Sequence, residues 1–189
     1  MSPARFSVLA ACLAGCASGP RLPYEGQVWL KDSEEELRTA QARVQEARAT
    51  RAEAEADVAA AQRVREAQGA EVDAVFAAEA EAQVKYAEAT LREKERALEL
   101  VEASRGCAEQ ALVAATAEAE VRAKLDGADP SEAKARRAQA TACHSGLGQL
   151  RAVLGAMSIR RGSARAALER AQVKAAAKAP NERPRPFLE

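Results

Sequence analysis

The stretch that decides the fold begins as SEEELRTAQARVQEARATRAEAEADVAAAQ at residues 33–62 and continues in the same style to about Leu125. It contains no proline, and its only glycine before Gly106 is Gly69. Its apolar residues recur at steps of three and four, which average the 3.5-residue repeat of coiled coils. They include Leu37, Ala40, Val44, Ala47, Ala54, Val58, Ala61, Val84, Ala87, Leu91, Leu98 and Val101. The pattern predicts a long helix over about 33–125 whose narrow apolar stripe needs a partner helix.

The predicted start and the predicted bend of this helix each rest on local chemistry. Ser33 and Glu36 match a capping box, in which the serine side chain accepts a hydrogen bond from the glutamate backbone N–H and the glutamate side chain accepts one from the serine backbone N–H. Gly106 is expected to bend or interrupt the helix. Between Val72 and Val84 extra four-residue steps indicate a stutter, which locally unwinds a supercoil.

The clearest turn follows at residues 126–130. Gly127 suits the end of a helix, whereas Asp129, Pro130 and Glu132 suit the N-cap, first and third positions of the next one. The chain is therefore predicted to fold back into a second long helix, from about 130 to 178. The expected architecture is an all-α coiled-coil helical hairpin.

The returning helix carries its own stripe and a track of glycines. The stripe consists of Ala140, Cys143, Leu147, Leu150, Leu154, Met157, Ala164, Leu168 and Ala171. Gly148, Gly155 and Gly162 recur every seven residues beside it. Such a track either lets a second helix approach closely or consists of tolerated surface glycines.

Composition favours a rod over a thick globule. Aromatic residues make up 3% of the chain, so little area can be buried per residue. The 28 Lys and Arg balance the 28 Asp and Glu, and the charges are interspersed as expected of solvated helix faces. Only the Pro- and Arg-containing tail at 179–189, expected to be extended or disordered, is locally basic. Nucleic acid, which needs a basic stripe, is not an expected partner.

The N-terminus reads as an export signal, with Arg5 before an apolar run at residues 6–14 that is too short to span a bilayer. The run ends in Leu13-Ala14-Gly15-Cys16, which closely resembles the lipobox of bacterial lipoproteins. That resemblance implies removal of residues 1–15 and attachment of palmitate-like acyl chains to Cys16. An ordinary signal peptide cut nearby, for example after Ala17, is the alternative.

The residues after Cys16 indicate in which membrane a lipoprotein is expected to reside. Ala17 and Ser18 lack the aspartate that in lipoproteins favours retention in the inner membrane. The resemblance therefore implies the outer membrane, facing the periplasm, with surface exposure as the alternative. Residues 16–31 contain prolines and glycines and are predicted to form a flexible tether. Its Trp29 suits a membrane interface; packing against the start of the rod or simple exposure are the alternatives.

The cysteines fit an oxidising compartment. Once Cys12 leaves with the signal and Cys16 carries lipid, Cys107 and Cys143 remain as a pair. They flank the turn with an axial offset of roughly 6–9 Å, which a bend at Gly106 could close. An intrachain disulfide is predicted; intermolecular pairing or two buried thiols are the alternatives.

Residues for catalysis or metal binding do not form a recognisable pattern. His144 is the only histidine, and its neighbour Cys143 points about 100° away on a helix. Neither a nucleophile–base arrangement nor zinc-ligand spacing is found in the sequence. We expect no enzymatic activity, metal, cofactor or small-molecule substrate.

The expected function follows from the unmatched part of the rod. A second arm of about 49 residues reaches back to about residue 79, so the stripe over residues 33–78 lacks an intrachain partner and predicts self-association or a partner helix. The sequence favours a lipid-anchored envelope scaffold. The alternatives are an accessory subunit of a secretion, efflux or gliding machine, and a non-covalent peptidoglycan spacer.

Overall fold

The computed structural model describes residues 24–69 and 72–178 of the 189-residue chain. These residues form three helices: α1 at Tyr24–Ala67, α2 at Ala74–Arg122 and α3 at Pro130–Ala177. Helix α2 packs against both α1 and α3. The described ranges contain no strand, and the all-α prediction is confirmed.

Both outer helices run antiparallel to α2. Arg48 pairs with Glu102 at 2.9 Å and Arg65 with Glu81 at 3.4 Å, so residue numbers rise on α1 as they fall on α2. The same inverse relation links α2 to α3: Glu118 pairs with Arg137 at 3.0 Å, and Glu93 pairs with Arg161 at 2.8 Å. Helices α1 and α3 are therefore parallel to each other and flank α2.

The turn between α2 and α3 forms where the sequence predicts it. Lys124 and Gly127 adopt positive φ values of 51° and 83°, which reverse the chain after α2. Asp129 caps α3 by accepting a hydrogen bond from the Ser131 backbone N–H at 2.8 Å. Pro130 occupies the first turn of α3, where its missing N–H costs nothing. Local chemistry alone is sufficient for this reversal.

The prediction of one helix over 33–125 is wrong, because the chain also reverses between Ala67 and Ala74. Gly69 has a φ of 71°, a conformation that glycine adopts without steric cost. Asp73 then caps α2 by accepting a hydrogen bond from the Val75 N–H at 2.8 Å. The stutter predicted after Val72 is thus the start of a new helix. The reversal lets the α1 stripe pack on α2 within the same chain.

The interruption of the helix at Gly106, one of the two outcomes expected there, does not occur, since α2 is a single helix from Ala74 to Arg122. A glycine inside a helix costs only about 1 kcal/mol relative to alanine. Packing of α2 between two other helices outweighs such a cost. Glycine therefore reverses the chain at Gly69 but leaves it helical at Gly106.

Helix α1 begins earlier than the capping box predicts. It starts at Tyr24 and passes through Ser33 without interruption, so residues 24–31 are helical and not a tether. No proline lies between Tyr24 and Ser33, so nothing prevents the extension. The signal peptide at 1–15, the tether at 16–23 and the tail at 179–189 lie outside the described residues.

The core is narrow and rich in alanine. Val44 and Cys107 are its two largest fully buried side chains, at 1% and 0% exposure. The other buried apolar residues are Ala40, Ala54, Ala61, Phe76, Ala80, Val84, Ala87, Ala108, Ala114, Ala117, Ala119, Ala133, Ala140, Leu147 and Ala175. Small side chains bury little area, so each contact contributes modestly. At 1.5 Å per residue, the 49-residue α2 makes a rod of roughly 74 Å.

Candidate functional site

The disulfide is the one covalent feature that connects two described helices. Cys107 Sγ on α2 lies 2.03 Å from Cys143 Sγ on α3, and the Cα atoms are 5.5 Å apart. Cys107 is completely buried, whereas Cys143 is half-buried. The bond encloses a sequence separation of 36 residues, including the whole α2–α3 turn. It therefore fixes α3 on α2 but places no constraint on α1.

The positions of the two cysteines relative to the α2–α3 turn account for the disulfide. Helix α2 ends at Arg122, earlier than predicted, so Cys107 lies 15 residues before that end. Cys143 lies 13 residues after the start of α3 at Pro130. These nearly equal distances from the turn bring the two cysteines to the same level of the rod. The axial offset was overestimated because the end of α2 was placed too late.

A shallow groove of about 370 Å³ lies between all three helices, near the end of the rod that carries the α2–α3 turn. Its lining includes Trp29 and Asp32 from α1, Glu118 from α2, and Arg137 and His144 from α3. Glu118 and Arg137 form an ion pair of 3.0 Å across it. The groove offers one aromatic ring and several charges to a ligand but is wide open to solvent.

Trp29 contacts the C-terminal end of α2. The guanidinium carbon of Arg122 lies 4.0 Å from the centroid of the indole ring, a cation–π arrangement. The side chain is still 41% exposed, so one side of the ring remains open to solvent. Packing against the start of the rod was one of the roles considered for Trp29; its ring instead contacts Arg122 at the end of α2, and this contact draws the start of α1 onto α2.

The opposite end of the rod is closed by a charged contact. The Lys178 ammonium group, just after α3, donates a hydrogen bond to the Asp73 carboxylate at the start of α2. This bond, followed by the one from the Val75 N–H, lowers the pKa of Asp73 below its ordinary value. The pKa of Asp129 is lowered as well, by the hydroxyl and then the N–H of Ser131. Both helix-capping carboxylates are thus held in their ionised form.

The described residues show no assembled centre for metal binding. Within 24–69 and 72–178, no three His, Cys, Asp or Glu side chains form a group able to hold a metal ion. His144 is exposed on α3, and its neighbour Cys143 is bound in the disulfide. Cys143 is therefore neither a thiolate nucleophile nor a metal ligand in this state.

Charge is divided unequally among the helices, a feature that the sequence analysis missed. Helix α3 carries nine Lys and Arg but two Glu, whereas α1 carries seven bases against ten acids and α2 six against ten. The balance of 28 and 28 over the whole chain conceals this division. The statement that only the C-terminal tail is locally basic is therefore wrong. Counting charges helix by helix along the sequence would have found the basic third helix.

The glycine track of α3 packs against no other helix among the described residues. Gly148, Gly155 and Gly162 are exposed, and a β-carbon added at each would meet no atom within 4 Å. Ile159 and Val173, which are 73% and 70% exposed, lie on the same side of α3. Of the two roles considered, close helix packing does not occur within the described chain.

The predicted lipidation site, Cys16, lies outside the described residues and stays a prediction. None of the described helices combines the length and the hydropathy that crossing a bilayer requires. Comparison with protein-family models, with curated proteins and with solved structures yields no match. Function must therefore be argued from the residues of this chain.

Proposed function

We propose that this chain is an outer-membrane lipoprotein whose helical body serves as a scaffold in the bacterial envelope. The observation that carries the proposal is Leu13-Ala14-Gly15-Cys16, which directly follows a short apolar run. By the lipoprotein resemblance, Cys16 becomes the acylated first residue of the mature protein. Several acyl chains on one cysteine hold a protein far more firmly than a single chain does, since each buried methylene contributes about 0.8 kcal/mol.

The described body supports a structural role. Three helices of 44, 49 and 48 residues form a rod with an alanine-rich core and an open groove in place of an enclosed cavity. Ligand-binding enzymes typically bury most of a small ligand in an apolar pocket. A rod of roughly 74 Å provides long exposed faces instead, which suit spacing or recruiting other macromolecules.

The fold changes what a partner must recognise. The reason for expecting a partner along residues 33–78 was an unmatched stripe, but Ala40, Val44, Ala54 and Ala61 are buried where α1 packs on α2. Self-association or binding of another helix in this region remains a prediction. Such a partner must use the polar outer side of α1 or displace α1 from α2.

Acylation is tested with two cysteine variants of the same signal region. Cells producing the wild-type chain, Cys16→Ser or Cys12→Ser are fed an alkyne analogue of palmitate, and the chain is examined for label and for partition into a detergent phase. We expect label and partition for the wild type and Cys12→Ser, and neither for Cys16→Ser. Equal labelling of all three chains, or label absent from the wild type, contradicts the proposal.

The location is tested at the next residue. By the lipoprotein resemblance, Ala17→Asp should retain the protein in the inner membrane, whereas Ala17→Asn should not. Membranes separated on a density gradient report the distribution. An Ala17→Asp chain that still moves with the outer membrane would refute the proposed sorting.

A further inference from the structure

Helix α3 has the largest net charge of the three described helices, and its outer side carries several unpaired bases. We call this side the basic face and define it by Lys134, Arg160, Arg170 and Lys174, all of which are exposed. None of these four side chains forms an ion pair or hydrogen bond with a described residue. Of the other bases of α3, Arg151 projects to the opposite side from Arg160, and four are engaged: Arg136 with Glu132, Arg137 with Glu118, Arg161 with Glu93, and Arg165 with Glu169. The basic face therefore carries uncompensated positive charge.

Apolar side chains lie among these charges. Ile159 and Val173 are the two most exposed large hydrophobic residues of the described chain. At 100° per residue, the four bases project to one side of Ile159 around the helix axis: Lys134 and Arg170 by about 20°, Lys174 by about 60° and Arg160 by about 100°. Ala175, which is completely buried, lies on the opposite side, about 160° from Ile159. Helix α3 thus has one face committed to α2 and a second, basic and partly aliphatic face directed to solvent.

This combination is characteristic of helices that lie in the interface of an anionic membrane, where basic residues approach headgroups and aliphatic residues enter the acyl boundary. Nucleic acid fits less well: residues 130–177 contain no aromatic side chain for base stacking. The phosphate backbone also offers nothing to Ile159 or Val173. Charge complementarity together with the exposed aliphatic residues favours a lipid surface.

We propose that the basic face of α3 binds anionic phospholipid headgroups and holds the rod along the membrane surface. In the cell this rests on the proposed lipid anchor, because Cys16 precedes the start of α1 at Tyr24 by eight residues. That length of chain spans at most about 28 Å. Helices α1 and α3 start at the same end of the rod, so an anchored Cys16 keeps the start of α3, where Lys134 lies, close to the headgroups. An acyl anchor and a basic patch act as two signals that reinforce each other.

The test uses the full chain with Cys16→Ser, so that binding does not depend on acylation. Vesicles of phosphatidylcholine alone, and vesicles in which about a third of the lipid is phosphatidylglycerol, are sedimented with the protein. We expect binding to the anionic vesicles that weakens as salt is raised. Each base near an anionic surface contributes about fivefold to binding, so Arg170→Glu with Lys174→Glu should weaken it by at least about 25-fold.

The matched control is Arg43→Glu with Arg63→Glu on α1. Both arginines are exposed and have no described partner, and the change in net charge is the same. This control should retain binding within about threefold, and circular dichroism should show unchanged helix content for both double variants. Equal binding to both vesicle types, or equal loss in both double variants, overturns the proposal. A change of molecular mass in solution for the α3 variant alone, without altered vesicle binding, would identify a second copy as the occupant and also overturn it.

The proposed acylation of Cys16 and the proposed lipid binding by the basic face can be refuted independently. Vesicle binding by the Cys16→Ser chain does not require Cys16 to be acylated in cells. If acylation fails but anionic vesicles bind the basic face, the proposed anchor is wrong and the membrane-binding face stands. If Cys16 is acylated but the chain binds both vesicle types equally, and both double variants bind equally, only the proposed anchor stands.

Discussion

The two hairpins of the molecule share α2 but are closed in different ways. The α2–α3 hairpin has a turn with Gly127, Asp129 and Pro130 and is joined by the disulfide. The α1–α2 hairpin turns at Gly69 and is held by buried Ala and Val side chains and a few exposed ion pairs. Similar helix packing is thus covalently secured on one side of α2 and reversible on the other. We expect α1 to be the part that opens first.

The largest expected effect comes from breaking the disulfide, which makes the two hairpins alike. A loop with a sequence separation of 36 residues predicts a loss of about 3–4 kcal/mol in the free energy of unfolding when the bond is removed. Urea unfolding is measured with and without reductant, and for Cys107→Ala with Cys143→Ala. The double variant should match the reduced wild type and no longer respond to reductant. An oxidised protein that unfolds at the same urea concentration as the reduced one contradicts the prediction.

The next effect concerns the reversible hairpin. Val44 on α1 is 1% exposed, and α1 packs on α2. Val44→Ala therefore removes two buried methyl groups and leaves a small cavity. We expect a loss of about 2 kcal/mol, with hydrogen exchange accelerated in α1 more than in α3. Val64→Ala is the control, because Val64 lies on the same helix but is 39% exposed. It should cost less than about 0.5 kcal/mol. Equal acceleration of exchange in α1 and α3 would show that the hairpins do not open independently.

The turns themselves differ from the helix interior in how they tolerate alanine. Gly69→Ala and Gly127→Ala each place a β-carbon on a residue with positive φ and should cost about 1–2 kcal/mol. Gly106→Ala lies inside α2, where an added β-carbon meets nothing within 4 Å, and should stabilise by about 0.5–1 kcal/mol. Thermal unfolding measures all three. A stabilising Gly69→Ala would indicate that α1 and α2 form one continuous helix after all.

The smallest effect is the response to acid. Asp129 and Asp73 have pKa values below the ordinary value of about 3.9, so the stability they contribute is present above that pH and is lost as pH falls through the lower folded-state pKa. We expect the urea concentration at the unfolding midpoint to decrease as the pH is lowered below about 4. Asp129→Asn keeps a good N-cap that does not titrate, so it should unfold with a shallower acid dependence.

Asp73 offers a second check, since its pKa is lowered mainly by the hydrogen bond from Lys178. Lys178→Ala should raise the pKa of Asp73 towards its ordinary value while leaving that of Asp129 unchanged, as measured by NMR titration. A titration of Asp73 that is identical in both chains would show that α3 does not reach the start of α2.

Some of this structure could be predicted because its causes are local. The reversal at 126–130 was predictable from residues within one turn, because Asp129 and Pro130 are suited to start a helix whatever lies beyond them. The pairing of Cys107 with Cys143 could be proposed from their positions around that turn. The groove at Trp29 could not, because it requires α1 to lie beside α3, and α1 was expected to project away from the other helices.

The sequence by itself determined the helical class, since alanine, glutamate and arginine favour helix residue by residue and the apolar spacing matches a helix face. It also determined the second turn, whereas the lipobox suggested by the residues up to Cys16 stays a prediction. Only the tertiary structure decided that the chain reverses at Gly69. A single glycine changes local stability by about 1 kcal/mol, which neither forces nor forbids a turn. Burial of the α1 stripe against a helix distant in sequence decides between the two outcomes, and that gain exists only once the whole rod has formed.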